Sequence, residues 1–149
     1  MNIRPLRTVL AMPMTDKCLL LESLTMLGAA RTAVVMLPFR WVATVLGKQE
    51  PTIDAGDDTA VDLNVRRVGT MVRRASKNVP WTSKCLDQAI AAKLMLARRG
   101  LPTTVYFGVR TDKNGELTAH AWLRSGSQFV TGGGNHHAFT IINTFTDGA

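Results

Sequence analysis

A chain of 149 residues accommodates one domain with a modest core and an appended helical segment, not two independent domains. Lysine and arginine outnumber aspartate and glutamate by 18 to 11, a formal charge of +7 that suggests an acidic partner. Sparse aromatic residues and the lack of a zinc-finger or similar signature argue against nucleic acid in that role. Two cysteines, Cys18 and Cys85, make no disulfide framework, so the sequence reads as a reduced, cytoplasmic protein.

Arg4 and Arg7 precede only a short apolar run, broken by Pro13 and Asp16, which does not fit a cleavable signal peptide; the whole chain is expected to be the mature one. Residues 19–37 are apolar except for Glu22, Arg31 and a few small polar residues, and predict a helix. At about 100° per residue the two charges fall on opposite faces, so no clean polar stripe exists and something must cover the helix. Each charge would cost roughly 2.5–3.5 kcal/mol at the centre of a bilayer, which opposes a span. Core or partner-protein packing is favoured, ahead of peripheral membrane contact through residues 19–46. Pro38 then starts a short second helix with Phe39, Trp41, Val42, Val45 and Leu46 as its apolar set and Gly47 as its stop.

Residues 48–58 are polar, contain Pro51 and Gly56, and lack periodicity, as a linker does. The chain therefore divides into a helical arm (1–47), a linker (48–58) and a core (59–149). Val61, Val65, Val68, Val72 and Ala75 mark an amphipathic helix whose other side carries Arg66, Arg67, Arg73, Arg74 and Lys77, a solvated face or a dock for an acidic segment. After Pro80 a helix is predicted over 83–99, stopped by Gly100, with Cys85, Ala89, Ala92 and Leu96 on one stripe of mostly small residues. Val105, Phe107 and Val109 alternate with Thr104, Tyr106 and Gly108 as a half-buried strand; Asp112–Gly115 supplies a turn, and 117–124, 128–131 and 139–145 read as further strands.

The chemistry concentrates at Cys85 and His120. A cysteine where a helix begins meets unsatisfied N–H groups and the positive end of the macrodipole, which favours the nucleophilic thiolate. His120 lies within a strand pattern in a distant segment, the arrangement of a catalytic pair that meets only in the fold. Cys18, in an apolar helix pattern, reads as packing, and Trp81 and Trp122 as walls of the cleft or core beside it. His136-His137 fit no common metal-ligand spacing, and Gly132-Gly133-Gly134 lacks the Lys-Ser/Thr ending of a phosphate loop, so neither metal nor cofactor is expected.

The ordered strings Trp81…Cys85-Leu86…Ala89, Arg98-Arg99-Gly100-Leu101-Pro102, Phe107-Gly108-Val109-Arg110 and Ala119-His120-Ala121-Trp122 resemble the transglutaminase-like leader peptidases of lasso-peptide biosynthesis, in particular the stand-alone peptidase half of a split B protein. The likeness covers roughly residues 60–145, and the Leu37-Pro38-Phe39-Arg40 turn resembles the family's N-terminal part. It implies an α+β, papain-like core in which the cysteine helix packs on an antiparallel sheet, with Cys85 as nucleophile and His120 as general base and acid. It also implies a precursor leader peptide as substrate, a separate leader-recognition protein and a lasso cyclase as partners. The family pattern places an aspartate on the strand after the histidine; here that position falls at about Thr131. The orienting role then passes to Thr131, Asn135, a backbone carbonyl or water, and Asp147 lies too near the terminus. The alternative is a non-catalytic peptide-binding module on the same scaffold.

Overall fold

The computed structural model describes residues 4–49, 62–82 and 84–146. Five α-helices and five strands follow one another as α1 (Arg4–Ala11), α2 (Met14–Met36), α3 (Phe39–Leu46), β1 (Lys48–Gln49), α4 (Leu63–Ser76), α5 (Cys85–Ala97), β2 (Thr104–Thr111), β3 (Leu117–Ser125), β4 (Gln128–Thr131) and β5 (Thr140–Thr146). A short 3-10 strap, Gly133–Ala138, precedes β5. All pairings are antiparallel, in the order β1-β5-β2-β3-β4, and α5 packs on β3 and β4. The fold class is α+β, with a helical layer on an antiparallel sheet, as the sequence predicts.

Local chemistry explains the elements. Pro13 and Pro38 precede the first residues of α2 and α3, where a missing N–H costs nothing, and Gly47 ends α3 at φ 108. Asp62 caps α4 by accepting the Asn64 N–H at 2.8 Å. Val65, Val68, Val72 and Ala75 form the buried stripe of α4, while Val61 lies outside the described residues. The helix predicted over 83–99 runs over 85–97, with Ser83 outside the described residues. Its Ala89, Ala92 and Leu96 stripe is fully buried, and the small side chains bring the helix axis close to the sheet.

The segment predicted as an arm does not stand apart. Leu19, Leu20, Leu27 and Ala30 of α2 share one core with Val65 and Val72 of α4, Ile90 and Met95 of α5, and Val105, Leu123 and Phe145 of the sheet. The physical reason is that α5 buries residues on every side, among them Ala89, Ile90, Ala91, Ala92, Met95 and Leu96, and needs α2 and α4 on the flanks that the sheet leaves bare. Lys48 and Gln49, placed at the start of the linker, instead pair with Thr146 and Phe145; residues 50–58 of that linker lie outside the described residues. The basic cluster of α4 is partly engaged within the molecule. Arg67 meets Asp16 at 2.6 Å, and Arg73 donates to the Val130 carbonyl at 2.9 Å.

Asp16, Glu22 and Arg31 of α2 pair with residues in or next to α4 and α5. Glu22 receives Arg98 at 3.0 Å and Arg99 at 3.0 and 2.7 Å, tying α2 to the C-terminal end of α5. Hydrogen bonding from Arg99, with the charges of Arg99 and Arg98, outweighs burial and holds the Glu22 carboxyl below its ordinary 4.5; the same hydrogen bond raises Arg99. A carboxylate with a lowered native value stabilises the fold fully above 4.5 and loses that contribution as the pH falls through the native value. Glu22→Gln should therefore cost roughly 1–2 kcal/mol at neutral pH, the range of a partly exposed charge-assisted contact. In urea unfolding the gap to wild type should close at pH values well below 4.5.

Candidate active site

Cys85 is the first residue of α5, with Lys84 as N-cap in extended conformation. Asp87, two residues on, is fully buried and accepts the Lys84 N–H through Oδ2 at 3.1 Å. This is half of a capping box; the Lys84 ammonium has no lone pair with which to complete it. Arg31 of α2 approaches the same oxygen at 3.7 Å and balances the buried charge, so the helix that starts at Cys85 is fixed from the N-terminal region. The first-turn N–H groups, including that of Cys85, have no intrahelical acceptors and are suited to hold an oxyanion.

His120 sits in β3, opposite Gly108 of β2. Its ring lies 5.8 Å from that of Trp122 and 5.0 Å from that of Phe139, and its Nε2 is 2.7 Å from the Gly132 carbonyl oxygen. A carbonyl only accepts, so Nε2 carries the proton and, in the neutral ring, the basic lone pair is on Nδ1. A Cβ at Gly108 would stand 2.8 Å from Phe139 Cβ and 2.9 Å from the Trp122 ring, so the bare glycine leaves space for the aromatic packing around the histidine.

Thr131 and Asn135, the side chains offered by the sequence for orienting the histidine, are placed otherwise. Thr131 is buried with its Oγ1 unpartnered, and Asn135 is exposed in the strap. The atom on the ring is a backbone carbonyl, that of Gly132, which sits at φ 70 next to Thr131. A backbone carbonyl is one of the alternatives the sequence leaves open, although residue type cannot say which carbonyl. Asp87, which sequence reasoning missed, carries a signal of its own, an aspartate three residues past an N-cap.

The sheet separates two apolar clusters. Val105 and Leu123 join α5 in the main core; Tyr106, Trp122 and Phe139 form a second cluster, with the Tyr106 and Trp122 rings stacked at 5.7 Å. Period-two alternation along β3 puts the His120 ring with Trp122. α5 and β3, which carry Cys85 and His120, pack on each other, but the His120 ring lies with the second cluster on the face of the sheet away from α5, and among the described residues no hydrogen bond joins sulfur and imidazole. Trp81 packs against α2 at Gly28, and Trp122 belongs to the second cluster, so both tryptophans are packing residues here. His136 donates its Nδ1–H to the Gly133 carbonyl oxygen, 2.7 Å away. Among the described residues no group of three His, Cys, Asp or Glu side chains is placed to hold a metal ion. Cys18 is exposed on α2.

The model of the transglutaminase-like superfamily matches residues 33–144, three quarters of the chain and both Cys85 and His120. The chain belongs to the transglutaminase-like superfamily. No curated protein and no solved structure gives a match. The transglutaminase-like match begins inside α2 and includes α3, in keeping with an N-terminal region that shares the core. Proteins of this superfamily are often cysteine peptidases or acyl transferases.

Proposed function

We propose that this transglutaminase-like protein is a cysteine peptidase that removes the leader from a ribosomally made lasso-peptide precursor in the cytoplasm, before a cyclase closes the macrolactam. One observation carries the reading: the helix that begins at Cys85 packs on the strand bearing His120, whose Nε2–H is held by Gly132 so that Nδ1 is the basic nitrogen. The Cys85 thiolate attacks the scissile carbonyl carbon, and first-turn N–H groups of α5 hold the oxyanion. The His120 imidazolium gives its proton to the departing amine as the C–N bond breaks. Water then loses a proton to His120 and attacks the thioester, releasing the acid and regenerating the thiolate. A separate recognition protein presents the leader. Incubating the protein with its precursor and that recognition protein should yield two masses summing to the precursor plus one water. An unchanged precursor mass under those conditions would refute the reading.

The missing Cys85–His120 hydrogen bond and the lack of a carboxylate on the histidine favour a second reading, a peptide-binding module without turnover. Thiol labelling separates the two. Cys18 is exposed and Cys85 half-buried, so access alone would make Cys18 the faster to react with iodoacetamide. Faster labelling of Cys85 near neutral pH is the result expected of a peptidase thiolate; slower labelling supports the binding module.

A further inference from the structure

The α2 helix is long and apolar enough to cross a bilayer by length and composition, yet only 22% of its most apolar stretch is buried within the protein. Its buried residues, Leu19, Leu20, Ser23, Leu27 and Ala30, follow one stripe against α4 and α5. The opposite stripe, Leu21, Thr25, Ala29, Thr32 and Met36, is exposed and carries no charge, where an ordinary surface helix is polar. Three of the four charged residues of α2 are directed elsewhere, Asp16 to Arg67, Glu22 to Arg98 and Arg99, and Arg31 to Asp87, and the fourth, Lys17, is half-buried off this stripe.

The apolar face culminates where α2 turns into α3. Within seven residues, Val35 (64% exposed), Met36 (75%), Leu37 (47%), Phe39 (55%) and Trp41 (56%) all reach solvent. Charge then decides the occupant. From Ser23 to Gln49 the chain has no aspartate or glutamate; its only charged residues are Arg31, Arg40 and Lys48, and the last two are exposed. An apolar wedge with an indole at its edge, and with only cationic charges in the 23–49 segment that forms it, matches the interface of a membrane with a negative surface potential, and the net charge of +7 adds long-range attraction. A second copy of the chain placed face to face would oppose these cations with themselves. A spanning pose would strip α2 from α5 and carry Glu22 and Arg31 into hydrocarbon.

We propose that the outward face of α2 and the α2–α3 corner dock this protein on a bilayer surface rich in anionic phospholipid headgroups. The inference does not depend on the peptidase reading. It is tested by floating the full-length protein with vesicles of phosphatidylcholine alone or mixed with phosphatidylglycerol. The protein should float with the anionic vesicles and stay behind with the neutral ones. Phospholipids brominated high on their acyl chains should quench fluorescence from Trp41, and Trp41→Phe should remove most of that quenching, since Trp122 is buried and Trp81 is half-buried against the core. Met36→Ser with Trp41→Ser should lower partitioning about tenfold or more, through lost apolar insertion. Arg40→Glu with Lys48→Glu should lower it by about tenfold or more on anionic vesicles. All four side chains are exposed, and circular dichroism of each variant confirms that the fold is kept. Wild-type protein that floats with neither vesicle would overturn the proposal, as would flotation indifferent to both double variants. Self-association that disappears in Met36→Ser with Trp41→Ser, without flotation, would assign the face to a protein contact instead.

Discussion

Cys85→Ala and His120→Ala are each expected to lower leader removal by about 10⁴-fold or more while leaving the protein folded, because thiolate and base act as a unit and losing either disables acylation. The fold should survive the first change easily. Cys85 is half-buried, makes no hydrogen bond among the described residues, and alanine is a strong helix former at the start of α5. His120→Ala removes the bond to Gly132 and the contacts with Trp122 and Phe139, a loss of about 1–2 kcal/mol that a cooperative domain tolerates. Cys18→Ala should turn over at near-normal rate. Single-turnover cleavage followed by mass, with circular dichroism on each variant, checks all three. Cleavage retained by Cys85→Ala would sink the mechanism outright. Precursor binding without cleavage by the wild type would leave the scaffold as a binding module.

What the sequence disclosed, it disclosed through local physics. Alternation at 104–109 and 117–124, the turn at Asp112–Gly115 and the Pro38…Gly47 brackets each depend on neighbours in the chain, and β2, β3, β4 and α3 lie close to where those patterns place them. Cys85 at a helix start follows from the same logic. Long-range partners were not legible. Nothing in the sequence around β5 says that it returns beside β2 and receives β1 on its other edge, and the partnership of Arg31 with Asp87 joins positions on different helices. The all-round apolarity of residues 19–37 did require cover, but composition could not say that only one stripe would receive it from the protein. The strap over 133–138 read as a loop because three glycines and two histidines carry no helical period.

The histidine's support gives the sharpest structural prediction. Gly132→Ala should destabilise the fold by about 2 kcal/mol or more and cut turnover about 10²-fold, with a much smaller change in KM. Two effects add. Gly132 sits at φ 70, a region that a Cβ disfavours by about 1 kcal/mol, and the added methyl would lie 2.7 Å from the Ala121 carbonyl and 3.2 Å from His120 Nε2. Relief requires β4 or the imidazole to move, and either motion lengthens the 2.7 Å bond that keeps the proton on Nε2 and the lone pair on Nδ1. Proton transfer by His120 then suffers more than precursor binding. Thr131→Val is the matched control. It replaces a buried hydroxyl that has no partner by a methyl of similar shape, so stability should hold or rise and turnover should persist. Steady-state kinetics and urea unfolding of the two variants decide the assignment: loss in Thr131→Val with activity kept in Gly132→Ala would transfer the orienting role from the Gly132 carbonyl to the threonine hydroxyl.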